Sequence, residues 1–148
     1  MATAKALIVI RTPVSEVFDY TASAVNGPAF IPNLNENTNI EPETPGVNQT
    51  FDWRFNMAGA DLRGKAEGIT FERDKQVTLR TTGDVNATWD YVFEDLGDGT
   101  TRVTSEVVYD IPTTVVEKIV NNKLLDRINQ HTLEQMLDNL KLILESDD

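Results

Sequence analysis

Three hydroxyls and an indole N–H stand at positions that a strand would turn inward: Tyr91, Tyr109, Ser105 and Trp89. In a cyclase or aromatase such groups polarise a ketone or orient an enolate. In an ordinary core they bond to backbone or water. A second group is Asn122, Asp126 and Asn129, with Leu125 at its edge. On a helix turning about 100° per residue, it continues the apolar stripe of Val115, Ile119, Leu133, Met136, Leu137, Leu140, Ile143 and Leu144. Each polar side chain facing a dry core without a partner would cost about 2 kcal/mol or more. Two arrangements relieve that cost. In one, the three overlook a wet cavity and offer hydrogen bonds to a ligand. In the other, the helix kinks or breaks near Asn129–Thr132, and Val116, Val120, Leu124 and Ile128 form the buried face of its first half. If the helix is straight, that second stripe is exposed and becomes a candidate surface for a second copy or a partner.

Other chemistries find no residues to carry them. His131 is the only histidine and there is no cysteine, so common zinc or iron sites, thiol catalysis and disulfide scaffolds are excluded. The paired carboxylates Asp90/Glu94, Glu106/Asp110 and Asp61/Glu67 fall on the polar parity of their strands, a solvated face rather than an acid–base pair. The segment from Asp95 to Gly99 is too short for a calcium loop, and no glycine-rich phosphate loop or nucleophile elbow is present.

The elements that would position these residues follow from periodicity. Ala4 to Arg11 reads as a strand, with Ala6, Ile8 and Ile10 on one face, Leu7 and Val9 on the other, and both faces expected to be covered. Thr12 is placed to cap a helix opened by Pro13, with Val14, Val17, Phe18 and Thr21 on its inner stripe. Asn26-Gly27-Pro28 should break it, and Ala29-Phe30-Ile31 adds at most one further turn. From Asn39 to Pro112 the period is 2. Phe51, Trp53, Phe55 and Met57 alternate with polar residues; Leu62, Gly64 and Ala66 follow, and the apolar parity slips at Gly68, where a bulge is expected. Val77, Leu79 and Thr81 share a face, as do Ala87, Trp89, Tyr91 and Phe93, and as do Val103, Ser105, Val107, Tyr109 and Ile111. Leu96-Gly97-Asp98-Gly99 is a strong hairpin signal, and the short turns imply an antiparallel meander. Thr113 to Glu145, free of Gly and Pro, is one long helix or two end to end.

A curved antiparallel sheet with one apolar face and a long helix to cover it is an α+β arrangement. Large aromatics interleave with Gly64, Ala66, Thr81, Ala87 and Ser105 on that face, a pattern that either interlocks into a solid core or lines a hollow. The length, 148 residues, suits one domain spanning 1–148. The net charge of −11, from 24 acidic against 13 basic residues, excludes a cationic nucleic-acid face. It belongs to the shell, with Asp126 the one carboxylate placed to point inward. No apolar run approaches the length of a membrane span, and Met1–Lys5 begins no signal peptide, so a cytoplasmic protein is expected.

The residues also resemble a family. Ile10-Arg11-Thr12-Pro13-Val14-Ser15-Glu16-Val17-Phe18-Asp19 is similar to the opening of the polyketide cyclase/dehydrase-like proteins of the START-like, or Bet v 1-like, helix-grip superfamily. So are Gly68 to Val77, Trp89-Asp90-Tyr91-Val92-Phe93-Glu94, Gly97 to Thr104 and the tail Leu133 to Lys141. The resemblance implies a β-α-α-β6-α chain whose sheet wraps the long C-terminal helix around an internal cavity for small hydrophobic or amphipathic molecules. The expected ligand-binding residues are Trp53, Phe55, Leu79, Trp89, Tyr91, Ser105, Tyr109, Asn122, Leu125, Asp126 and Asn129, with no catalytic residue, metal or cofactor assigned. The first expectation is a carrier or sensor, monomeric or weakly dimeric, without nucleic-acid or integral membrane association. The alternatives are a cyclase, aromatase or dehydratase, and an interaction domain of the chaperone-activator type working through its outer surface.

Overall fold

A computed structural model of the chain describes residues 2–57, 59–110 and 122–146, with backbone only from 122 to 125. Strand β1 (Ala2–Ile10) is followed by α1 (Val14–Ala22), a 3-10 turn (Ala24–Asn26) and α2 (Gly27–Phe30). Six strands come next: β2 (Leu34–Glu41), β3 (Thr50–Met57), β4 (Ala60–Glu72), β5 (Gln76–Gly83), β6 (Asn86–Gly97) and β7 (Thr100–Asp110). Helix α3 (Asn122–Glu145) closes the chain. All seven strands form one curved antiparallel sheet in the order β1-β7-β6-β5-β4-β3-β2, the expected helix-grip arrangement. No helix among the described residues is long and apolar enough to cross a membrane.

The alternation reads through to burial. Phe51, Trp53 and Met57 turn in, and Trp53 lies directly opposite Gly64 on β4. A Cβ at Gly64 would sit 1.9 Å from the Thr82 carbonyl oxygen and 2.6 Å from the Trp53 ring, so only glycine lets the indole lie across β4. The ladder from β4 to β5 shifts register between Gly68 and Thr70, which is the expected bulge. Asp98 and Gly99 both have positive φ (55° and 71°), the conformation of a two-residue hairpin loop.

Helix α3 runs without a break through 129–132. Leu133, Met136, Leu137 and Leu140 are buried on its inner stripe. The stripe of Val116, Val120 and Leu124, and the neighbouring Val115 and Ile119, lie outside the described side chains. α3 also closes the open edge of β1. Gln130 exchanges hydrogen bonds with the backbone of Lys5 (3.3 and 3.0 Å), Lys141 donates to the Val9 carbonyl (2.9 Å), and Glu145 accepts from the Arg11 N–H (2.7 Å). A strand edge capped this way cannot pair with another chain.

Three expectations are corrected and one strand is added. β1 is covered on one face only, with Leu7 61% exposed, because it is an edge strand with a helix on its inner side alone. Thr12 does not cap α1, since its hydroxyl donates to the Leu144 carbonyl (2.9 Å) at the end of α3 and Pro13 takes the cap position. α1 ends at Ala22, before Asn26-Gly27-Pro28, and Gly27-Pro28 opens α2 instead of breaking α1. Finally, Leu34 to Ile40 forms an edge strand although its Asn-rich sequence does not alternate; two register shifts and positive φ at Asn39 accommodate it.

Candidate functional site

The space between sheet and α3 has two ends. At one, α1 drives Phe18 into the sheet, where its ring meets Phe71 and Phe93 edge-on at 5.1 and 5.2 Å. Ile10, Val17, Val103 and Leu140 surround it with no exposed surface. Towards Asn129 the packing opens into a cavity. Its free volume is about 120 Å³.

Of the expected residues, Trp53, Phe55, Leu79, Trp89, Tyr91, Tyr109 and Asn129 line this cavity. The two indoles are held differently. Trp53 donates to the Lys65 carbonyl (3.0 Å) and is a fixed wall, whereas Trp89 is half-buried and makes no side-chain hydrogen bond among the described residues. Ser105 is corrected: it is fully buried but does not reach the cavity, because it sits between Ala6 and Tyr91 and the longer tyrosine forms the wall. Asp126 is also corrected, being an exposed rim residue rather than an inward one. The side chains of Asn122 and Leu125 lie outside the described residues.

Asp126 nevertheless touches the site, since the Tyr109 hydroxyl donates to its carboxylate at 2.7 Å. Burial pushes the Tyr109 hydroxyl up to about 12; nearby Asn129 opposes the shift, while the bond to Asp126 and its charge add to it. Asn129 opposes it through a hydrogen bond to the Tyr109 oxygen, and its buried amide nitrogen has no further partner among the described residues. Tyr91 is more enclosed, and burial alone raises it further; its hydroxyl finds only the Met136 sulfur at 3.6 Å, a weak acceptor.

Sequence reasoning missed several polar lining residues, two of which carry buried, unpaired atoms. Thr21 lies on the inner stripe of α1, and its hydroxyl is buried without a partner. A polar residue on an apolar stripe was the available signal, the same one that marked Asn129. Asn37 donates its amide to the Ala24 carbonyl (2.8 Å) and leaves its side-chain oxygen buried and unpaired. Nothing in the irregular β2 sequence marks it.

No charged side chain lines the cavity among the described residues. Nor do three His, Cys, Asp or Glu converge among them to hold a metal. The site can enclose an apolar body and hydrogen-bond it at a few points; it offers no ion-pairing group in the described wall.

The comparisons with known proteins agree with this geometry. A Thermus thermophilus protein of solved structure superimposes with TM-score 0.82 at 16% identity, covering 99% of this chain and 100% of that one. A START superfamily protein from Mycobacterium smegmatis gives 0.77 at 11% identity, with 97% of each chain covered. The Zhui aromatase/cyclase of a Streptomyces species gives 0.77 at 11%, covering 97% of this chain and 93% of that one. At such identities the likeness is one of fold. No protein of curated function matches the sequence significantly. The family model described as polyketide cyclase/dehydrase and lipid transport matches residues 1–145, and the chain belongs to that family.

Proposed function

We propose that this protein binds a small hydrophobic or amphipathic molecule between its sheet and α3 and carries or senses it without chemical change. The observation that carries this reading is an aromatic-walled cavity lined by Thr21, Asn37 and Asn129, each with a buried polar atom short of a partner among the described residues. Unpaired buried polar atoms cost stability, each about 1–3 kcal/mol, and a ligand that pairs them recovers that cost on binding. Native mass spectrometry of the purified protein, with organic extraction of any excess mass, tests it. A retained lipid-like or aromatic molecule is the expected result. No retained mass, together with no binding of hydrophobic probes, would overturn it.

The hydrogen bond between Tyr109 and Asp126 supports a second reading, a cyclase or dehydratase. It joins a phenol on the cavity wall to a carboxylate at the rim, the two proton-handling groups that enolate chemistry requires. Turnover of a poly-β-ketone probe that disappears in Tyr109→Phe would favour the enzyme over the carrier.

A further inference from the structure

The walls of the cavity are not all held in the same way. The sheet is bonded strand to strand along its ladders, and α3 is bonded through its own backbone over 24 residues. The segment between α1 and β2, residues 23–32, has only local backbone bonds. The Asn26 N–H donates to the Ser23 carbonyl (3.0 Å) and the Ile31 N–H to the Gly27 carbonyl (2.9 Å). Among the described residues no backbone hydrogen bond joins 24–32 to the sheet or to α3. The first bond to the sheet comes at Asn33, whose carbonyl accepts from the Asn56 N–H (2.8 Å).

Three asparagine amides fasten this segment, each donating to a carbonyl. Asn26 reaches back to Tyr20 (3.1 Å), Asn37 on β2 reaches Ala24 (2.8 Å), and Asn139 on α3 reaches Phe30 (3.0 Å). Gln135, one turn earlier on α3, donates to the Asn139 side-chain oxygen (3.0 Å) and so aims its amide nitrogen at Phe30. Gly27 leaves room for the Asn37 bond: a Cβ there would stand 2.6 Å from the Asn37 amide nitrogen and 3.1 Å from Leu34.

The segment is also a single chain thick. Ala24, Gly27, Phe30 and Ile31 line the cavity, while Val25 (71% exposed) and Ala29 between them face solvent. Only Gly27 and Phe30 of its residues are buried. A wall with few buried contacts and no ladder is where a fold opens at least cost.

We infer that residues 23–32 are a strap over the cavity, clasped by Asn37 and Asn139, and that its release admits and discharges the ligand. This rests on the proposal that the cavity takes one. Asn139 is not part of the cavity lining, so its bond is the same in the empty and the loaded protein and cancels from the binding constant. It is broken only when the strap opens, so it governs the rates in both directions.

The test follows an uncharged fluorescent probe, N-phenyl-1-naphthylamine, by stopped-flow mixing with the full chain. Asn139→Asp keeps an acceptor for Gln135 and replaces the donor facing the Phe30 carbonyl by a second acceptor. Association and dissociation rate constants should both rise about fivefold or more, with Kd held within roughly twofold. Gly27→Ala, at a helical φ of −49° where alanine is unstrained, should push the Asn37 amide off Ala24 and raise both rates likewise. Hydrogen exchange at the Ile31 amide should quicken in both variants while that of Val103 in β7 does not, which also shows that each is folded. Unchanged rates in either variant would overturn the strap and leave ligand binding standing. So would a faster dissociation alone in Asn139→Asp, because the lost bond would then belong to the loaded state and not to opening. If the probe does not bind the parent protein, the strap and the binding reading fall together.

Discussion

The two ends of the space beneath α3 are built from the same sheet face and the same helix, yet one is solid and the other open. The solid end has a third wall. α1 delivers Phe18 between Phe71 and Phe93, in the same buried core as Leu137 and Leu140. Two buried hydroxyls there are used: Thr101 donates to the Thr12 carbonyl (2.8 Å), and Thr12 donates to the Leu144 carbonyl (2.9 Å). The open end carries more aromatic surface, but the rings line the space instead of filling it, and Thr21, Asn37 and Asn129 keep unpaired polar atoms. Fold stability is therefore concentrated at one end, which frees the other to hold groups that suit a ligand and not the protein.

Exchanging large side chains between truncations breaks that comparison most directly. Phe18→Ala empties a site with no exposed surface and should cost about 3–5 kcal/mol in denaturant unfolding. Trp89→Ala removes a larger ring, but from a half-buried position on an existing cavity, so about 1 kcal/mol is expected. The same Trp89 variant should change the fluorescence response to hydrophobic probes; an unchanged response would remove Trp89 from the site. Equal stability losses in the two variants would mean that the open end is as load-carrying as the solid one. Gly64→Ala lies next in size. The added methyl has no room against the Thr82 carbonyl and Trp53, and should cost about 2 kcal/mol while shifting the Trp53 emission.

How far the sequence foretold this division depends on periodicity. β3 alternates Phe51, Trp53, Phe55 and Met57 with polar residues, and the register slip at Gly68 was readable because glycine and a change of parity coincide. β2 was not readable, since a strand held by bulges and left-handed asparagines has no period to detect. Asn129 was legible as a polar break in an apolar stripe. Asp126 was assigned to the same stripe, but a helix position defines a direction only to within part of a turn, and Asp126 falls on the rim side. Ser105 has the right parity and the wrong length. Parity tells which face a residue occupies; it does not tell how far its atoms reach past taller neighbours.

Alkaline pH separates the ends through Tyr109. Its folded value, about 12, lies above the ordinary 10.0, so the folded state holds the phenol proton more tightly than the unfolded chain does. The corresponding stability is complete below about 10 and is lost as pH rises through about 12. Unfolding followed between those limits, alongside phenolate absorbance, should show that loss. Tyr109→Phe should reduce it, leaving the contributions of the other upward-shifted phenols, Tyr91 and Tyr20. If the variant and the parent lose stability in parallel, the hydroxyl on the cavity wall does not govern the transition.

The smallest expected effect is also the sharpest test, because one substitution should act with opposite sign at the two ends. Thr101→Val removes a hydroxyl that is fully buried and bonded, leaving the Thr12 carbonyl without its partner, and should destabilise by about 1–2 kcal/mol. Thr21→Val removes a hydroxyl that is buried and unbonded, from a chain position of similar helical cost, and should be neutral or stabilising by about 0.5 kcal/mol. The volume change is the same in both, so packing cancels from the comparison and the difference reports only whether the hydroxyl serves the fold. Two losses of equal size would show that Thr21 is spoken for within the protein, and the polar atoms of the open end would then need no ligand to explain them.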